Sequence, residues 1–561
     1  LQKPTLKNWL KISKVLSLKE KIFFYALIII LAASIAAWGI ILYRSKTKAV
    51  PAYGGEYIEG IVGQPSHINP VIPSNDADDD LNQIIYSGLL KYGNNGQLEN
   101  DLAESYDISD DKTTYTFHLK KNVLWHDGEP FNSDDVMFTI NLISDSTYKS
   151  PVRLNWRGIT TNVLDESTVE FKIDKPYAGF LNNLTFGIMP KHIWEGIDPE
   201  KFSLTDLNLQ PIGTGPYKYS SIQKTSDGKI ISYKLVANPN YFEGKPYISK
   251  LTFNFYPDSD SAINAFNKKE VMGISNISAQ KTGNIKLLQS TFFHKFNIPG
   301  YFAVFINQTK SLPLSNDETR QALALATNRQ EIIDKVLNGN GDPVYAPILS
   351  GMLGYTDEIN KFEFDLDKAN KLLDDNGWTR GEDGFRAKNN VPLQFTLITT
   401  DIPGLAQTVD ILKEQWAKAG FKVNIEIHSF FDVSQNYIKP REYDAFLFEQ
   451  LLGGDSDLTS FWSSTQKKDP GRNFSLFGDS ATDKLIDDAR AEFDPAKRAD
   501  LYKQFQQKLD DEISTIFLYR PKYIYPVNKS IQGMDIQDLI FSSERFSNIN
   551  DWYIKTKRVW K

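Results

Sequence analysis

LENDLAESYDISDDKTTYTFHLKKNVLWHDGEPFNSDDVMFTI, residues 98–140, is the most densely patterned stretch of the chain, and its reading decides the fold. Tyr115, Phe117 and Leu119 alternate with Thr114, Thr116 and His118, the period of a strand with one buried face. His126-Asp127-Gly128-Glu129-Pro130 is a turn, with Gly supplying backbone freedom and Pro holding its own φ. Asn132 then caps a helix whose first turn carries Asp135, ahead of Val136, Met137, Phe138 and Ile140. No nucleophile in a recognisable catalytic setting occurs here. The stretch is scaffold.

Working outward, further blocks join it. Ala103-Glu104-Ser105, Asp110-Asp111-Lys112, the strand 115–120, Trp125-His126-Asp127-Gly128 and Ser133-Asp134-Asp135-Val136 resemble the signature of the family 5 bacterial solute-binding proteins, receptors of ABC importers for peptides, nickel and oligosaccharides. The likeness continues through Gly213-Thr214-Gly215-Pro216-Tyr217, residues 240–246, Arg320-Gln321-Ala322-Leu323, Ala326-Thr327-Asn328-Arg329, Asp444-Ala445, Gly454-Asp455-Ser456-Asp457 and residues 516–519. Ordered blocks over nearly all of residues 51–561 are far more specific than one short motif.

The resemblance implies an α/β fold of the periplasmic-binding-protein type, two-lobed (class II, cluster C) with an extra subdomain. Lobe I is expected from residues 56–92, 206–300 and 518–561, the extra subdomain of lobe I from 93–205, and lobe II from 301–517. It also implies that the tail returns to the first lobe, so hinge strands cross between lobes. Periodicity by itself reads a helix over 318–337 and others over 365–376, 482–493 and 496–509. It reads strands at 168–173, 302–307, 391–399, 423–427, 516–519 and 523–527. Strand, helix, strand order in the second half indicates a separate α/β lobe.

Composition bounds the partners. The 561 residues are too many for one ordinary core. Residues 1–50 hold nine Lys/Arg (Lys3, Lys7, Lys11, Lys14, Lys19, Lys21, Arg44, Lys46, Lys48) against Glu20, which leaves −15 on the other 511 residues of a chain whose formal charge is −7. So acidic a body is a poor partner for nucleic acid. The absence of cysteine excludes disulfides, thiolate metal sites and Cys nucleophiles. The lipid-modified cysteine that holds many members of this family to the membrane has no counterpart in the sequence.

Residues 23–43, FFYALIIILAASIAAWGIILY, are uncharged, and at ~1.5 Å per residue they cover a ~30 Å hydrocarbon core. With six lysines before and Arg44, Lys46 and Lys48 after, the reading is a cytoplasmic basic tail (1–22), a single-pass transmembrane anchor (23–43), a tether (44–55) and an extracytoplasmic body. A cleavable signal peptide cut near Ala32-Ala33-Ser34 or Ala36-Ala37 is the competing reading. The apolar run, longer than the ~7–15-residue signal core, favours the anchor. Asp76, Asp78 and Asp80 alternate like calcium ligands, but Leu81 and Ser87 stand where an EF-hand needs Gly and Glu. An acidic start to a helix over 81–90 accounts for them better.

No Gly-x-Ser-x-Gly, no His-Glu-x-x-His and no metal-ligand spacing among His67, His118, His126, His192, His294 and His428 occurs in the chain. The expectation is therefore a binding protein and not an enzyme, without cofactor or metal, monomeric, with an ABC permease, a small solute and the cell membrane as partners. The resemblance places residues 444–462 along the cleft, where peptide receptors of this family set a carboxylate against the ligand's ammonium group. Registered on Thr459-Ser460-Phe461, Gly454 stands at that position, and a one-residue slip brings Asp455 there; Glu449 is the other nearby acid. Asp455 and Asp457 read equally well as a solvated turn. Trp462 reads as a stacking surface or as core, and Asn75, Asn276 and Tyr301 fall near cleft-facing segments by the same register. Peptide is the expected ligand. Other readings are a receptor of this fold for nickel chelates or oligosaccharides, and a membrane-anchored extracytoplasmic hydrolase or peptidase.

Overall fold

One strand of 14 residues, Thr515–Asn528, ties the two halves of the chain together. Its first part pairs antiparallel with Gly300–Ile306, from Phe305 opposite Thr515 to Phe302 opposite Tyr519. Its second part pairs with Thr291–Asn297, from Asn297 opposite Lys522 to Thr291 opposite Asn528. The chain thus crosses twice, at Ile298-Pro299 and at Arg520-Pro521, and Pro521 stands where the long strand exchanges one partner for the other. Asp342 accepts from Arg520 (3.0 Å) and Lys522 (2.5 Å), a clamp on both sides of that proline. The strands expected at 516–519 and 523–527 are this single strand.

The computed structural model describes residues 16–561. The expected basic tail is represented there only by its last residues, and Lys3, Lys7, Lys11 and Lys14 lie outside the described residues. Around the long strand runs a sheet of twelve strands. On one side follow Gly300–Ile306, Ala445–Leu451, Gln394–Thr400 and Lys422–His428; on the other, Gly273–Ile274, Glu56–Val62, Lys250–Tyr256, Ile230–Ala237 and Tyr217–Lys224.

In the second half, alternate side chains of each strand enter two cores. Val304, Ile306, Leu397 and Leu447 pack under the helices Asp317–Leu325, Arg329–Leu337 and Pro403–Lys418. Ala303, Phe305, Ile398 and Phe446 pack under Ser480–Ala491 and Pro495–Glu512. The helix expected over 318–337 is broken after Leu325. Thr327 Oγ1 turns back to Leu323 O (2.7 Å), and Asn328 caps a new helix by accepting from Glu331 N (3.0 Å). The break lets Arg329 point inward, where its Nε donates to Phe517 O (2.7 Å).

The opening stretch builds an antiparallel four-stranded sheet in the order Ala103–Ile108, Thr114–Leu119, Thr168–Ile173, Ile159–Asp165. Tyr115, Phe117 and Leu119 are buried, and the intervening residues are only half-covered, as the alternation requires. Asn132 closes a capping box on Ser133–Ser144: its Oδ1 accepts from Asp134 N (2.9 Å) and Asp135 Oδ2 accepts from Asn132 N (3.1 Å). Asp135 also receives Trp125 Nε1 and Lys191 N, so the acid of the first turn is a structural hub.

The acidic helix starts earlier than its expected 81–90. It runs Asp76–Ile85, because Asn75 supplies the cap to Ala77 N and Asp78 N. Two of its four carboxylates are held by protein groups: Asp78 accepts from Ser66 N, His67 N and Ser74 N, and Asp80 is paired with Arg545. The apolar helix spans Leu18–Lys46 and has no buried residue. The expected tether is largely a strand, Thr47–Ala52, hydrogen-bonded to Lys555–Trp560, because Thr47 is buried and locked to Arg558.

Candidate functional site

Between the halves, against the two crossings, lies a cavity of about 1120 Å³. The first half contributes Asp76, Asp79, Tyr86, Trp156 and Phe186, and the returning tail Phe541 and Glu544. The second half contributes Phe302, Glu449, Leu451 and Gly453, and the hinge strand Tyr519, Pro521 and Lys522. Aromatic walls with a few polar groups on both sides suit a ligand of several residues.

The charge here is largely negative. The Glu449 carboxylate makes no hydrogen bond or ion pair among the described residues, and burial followed by the charge of Asp76 pushes it above the ordinary range. The influence of Asp76, on the acidic helix, reaches Glu449 across the cleft from the opposite half. Asp79 opens onto the cavity, but the cleft walls remove much of its bulk water. That loss, with Asp80, Asp76 and Asp78 beside it, pushes Asp79 up to about 7. Asp101 is similarly raised to about 7 by burial, opposed by Lys91 at 3.8 Å. Glu544 also reaches about 7 through burial, although it accepts from Ile540 N and Phe541 N. Lys522, beside the hinge, is engaged by Asp342 and by Asn297 Oδ1 (2.7 Å).

Of the seven residues singled out from sequence, the cavity brings together Glu449 and Asn276, the latter on a left-handed backbone (φ 42°). Asp455 has a different setting from the expected ammonium contact. Arg498 Nη2 donates to both its oxygens (2.7 and 2.9 Å), and Arg498 also bonds Tyr502 Oη (2.9 Å). Burial raises the Asp455 carboxyl and Arg498 opposes the rise. Gly454 lies under Tyr92, whose Oη a Cβ there would overlap. Trp462 is 1% exposed in the core among Phe477, Phe505 and Phe517, so it offers no stacking face to the cleft. Tyr301 is fully buried with its hydroxyl donating to Gln450 Oε1 (2.7 Å), and Asn75 is spent as a helix cap.

Asp76, Asp79, Trp156, Phe541 and Tyr519 also line the cavity, and none of them is a ligand candidate by sequence pattern. Only the acidic pair carries a sequence signal, the run 76–80, which marks a helix start and says nothing of its place in the cavity wall. Trp156 and Phe541 come from segments 385 residues apart, which no local pattern links.

Opposite the hinge the halves touch. The Asp455 carboxylate packs where a Cβ on Gly179 would stand, Arg490 stacks 4.2 Å from the Tyr177 ring centroid, and Ala178 N donates to Arg490 O (2.9 Å). In this state the rim is latched.

Comparison with known proteins agrees with this architecture. The family model for bacterial extracellular solute-binding proteins, family 5 Middle, matches residues 97–472. The oligopeptide-binding protein AppA of Bacillus subtilis (strain 168) is 28% identical over 533 residues, covering 91% of this chain and 93% of that protein. The dipeptide-binding protein of Escherichia coli (strain K12) is 27% identical over 520 residues, covering 87% and 93%. The structure of Bacillus subtilis AppA in complex with a nonapeptide superposes with TM-score 0.72 at 26% identity, over 90% of this chain and all of that one. NikZ of Campylobacter jejuni in complex with Ni(L-His) superposes with TM-score 0.73 at 26% identity, over 89% and 99%. Two halves joined by paired crossings, a ligand-sized cleft between them and a family match over most of the chain lead to one conclusion: this protein belongs to the bacterial extracellular solute-binding proteins of family 5.

Proposed function

We propose that the chain is a membrane-anchored extracytoplasmic receptor that binds a peptide in the cleft between its lobes and presents it to the permease of an ABC importer. The observation that carries this reading is the cleft itself, lined by both lobes and set against the double crossing, where a ligand touching both walls favours closure by the contacts it gains. Relatives named for oligopeptide and dipeptide binding support peptide as the ligand. So does the strand Ala445–Leu451: the Leu447 carbonyl is still held by Thr399 Oγ1 (3.0 Å), and from Phe448 onward the strand has a ladder partner on one side only among the described residues. That free edge can accept the backbone of an extended peptide, with aromatic walls taking side chains. Glu449 and Asp76 supply the anionic partners for a peptide ammonium.

A nickel chelate is the second reading, prompted by NikZ. Among the described residues no histidine lines the cavity, which favours peptide. The helix Leu18–Lys46, apolar with exposed faces all round, is the anchor in this reading. The test is native mass spectrometry of gently purified protein, followed by small-angle scattering with the co-purified molecule added back. Intact peptide whose return compacts the protein is the expected result. A bound metal chelate would overturn the ligand, and conversion of added peptide to fragments would overturn the receptor.

A further inference from the structure

Where the apolar helix meets the body, the chain has no loose linker. Helix Leu18–Lys46 passes directly into strand Thr47–Ala52, which is zipped to Lys555–Trp560 with Thr47 opposite Trp560 and Ala52 opposite Lys555. The junction is bolted on several sides. Thr47 Oγ1 donates to Tyr43 O (2.6 Å) and accepts from Arg558 Nε (2.8 Å); Arg558 Nη2 donates to Arg44 O (3.0 Å) and Thr47 O (2.9 Å); Lys561 N donates to Lys46 O (3.0 Å). Trp560, 73% exposed, meets Tyr43 edge-on with ring centroids 6.2 Å apart.

The charge of this ribbon is one-signed. Residues 44–52 and 555–561 carry Arg44, Lys46, Lys48, Lys555, Lys557, Arg558 and Lys561 and no acid. These seven side chains belong to exposed residues. The body between them is the reverse: of the −15 on residues 51–561, four positive charges lie in residues 555–561, so residues 53–554 carry −19. The molecule is an acidic body on a basic collar, and the collar sits at the end of the apolar run with two aromatic rings beside it. Tyr and Trp at the level of lipid headgroups, followed by Lys and Arg, is the chemistry that meets a phosphate-bearing bilayer surface.

We propose that the ribbon Thr47–Ala52 with Lys555–Trp560 is a headgroup-binding collar that holds the receptor body in one pose on an anionic bilayer. This rests on the anchor reading of Leu18–Lys46 and goes beyond it, since an anchor alone leaves the body free to tilt. The collar attracts anionic headgroups while the acidic body is repelled, and the two effects together select one end for the membrane. Both act only within about a Debye length, ~8 Å at physiological ionic strength, so the pose is salt-sensitive while the anchoring is not.

The absence of cysteine permits a clean test. Full-length protein carrying Asp227→Cys, in an exposed turn far along the chain, is spin-labelled and placed in nanodiscs of phosphatidylcholine, with or without phosphatidylglycerol, containing spin-labelled lipid. The expected result is a narrow distance distribution with phosphatidylglycerol that broadens in pure phosphatidylcholine or at about 1 M salt. Lys48→Glu with Lys557→Glu and Lys561→Glu broadens it in phosphatidylglycerol, whereas the three Lys→Arg changes keep it narrow. Vesicle flotation after alkaline carbonate reads the anchor separately. Protein stripped by carbonate overturns the anchor, and the collar with it. Protein that floats but shows the same distribution in both lipids and in the Glu variant overturns the collar alone and leaves the basic face to an acidic protein partner.

Discussion

Glu449 and Asp455 stand six residues apart and their carboxylates have opposite settings. Glu449 faces the cleft with no protein partner among the described residues, whereas Asp455 is closed off by Arg498. Glu449→Gln should therefore weaken a peptide with a free amino terminus about ten-fold, roughly 1.4 kcal/mol, in calorimetry, with the melting temperature of the free protein unchanged. Asp455→Ala should do the converse. It strands a buried guanidinium, an effect on the order of 3 kcal/mol, and lowers thermal stability in the absence of any ligand. Sequence identified both as acids beside a cleft-lining strand but did not rank them, because Arg498, 43 residues on, decides which one is free. Trp462 makes the same point: an aromatic after a loop is legible, and which way it faces is not.

At the scale of elements, the turn that opens the fold is joined to a second turn 87 residues later. His126 Nδ1 accepts from Gly213 N (3.1 Å) and its Nε2 donates to Gly215 O (3.0 Å), which specifies the neutral ring. Burial, the larger effect, lowers its pKa to about 4 against the Gly215 hydrogen bond, which raises it. The unfolded ring takes a proton near 6.5 while the folded ring does not, so this contribution is whole above about 6.5 and is lost as the pH falls towards 4. Denaturant titration across that window should lose on the order of 2 kcal/mol, the ring being partly open to water, and a His126→Gln variant should lose less. Gly213 itself rests on the Ile85 carbonyl, which a Cβ would overlap, so Gly213→Ala should cost about 1–3 kcal/mol in the same measurement. Strand alternation, the Asn132 cap and the acidic helix start were legible because each is local. The helix over 318–337 is not continuous because the inward turn of Arg329 is rewarded by the carbonyls of Phe517, Val344 and Phe362 and by the Tyr345 ring, all beyond the helix.

For the molecule as a whole, the latch opposite the hinge sets the balance of open and closed forms. Gly179 has an ordinary negative φ (−80°), so a larger residue there is resisted not by the backbone but by Asp455 across the rim and by the Tyr177 ring on its own side. Gly179→Leu is expected to keep its fold while displacing the Tyr177 ring and holding the rim apart. Ligand should then compact it less in small-angle scattering and bind more weakly, by ten-fold or more if closure supplies most of the contacts. A variant that compacts as the parent does would remove the latch from the account.

Sequence by itself determined, through ordered blocks shared with the family, a two-lobed α/β binding fold, and, through hydropathy and charge, that an apolar segment of bilayer length precedes an acidic body. Periodicity, capping and charge balance are properties of neighbouring residues and survive in one dimension. Tertiary structure alone decided which acids face the cleft, that the last strand grips the foot of the apolar helix, and that residues 515–528 form one continuous strand. Each depends on groups hundreds of positions apart meeting in space, and burial, pairing and pKa are set by those meetings.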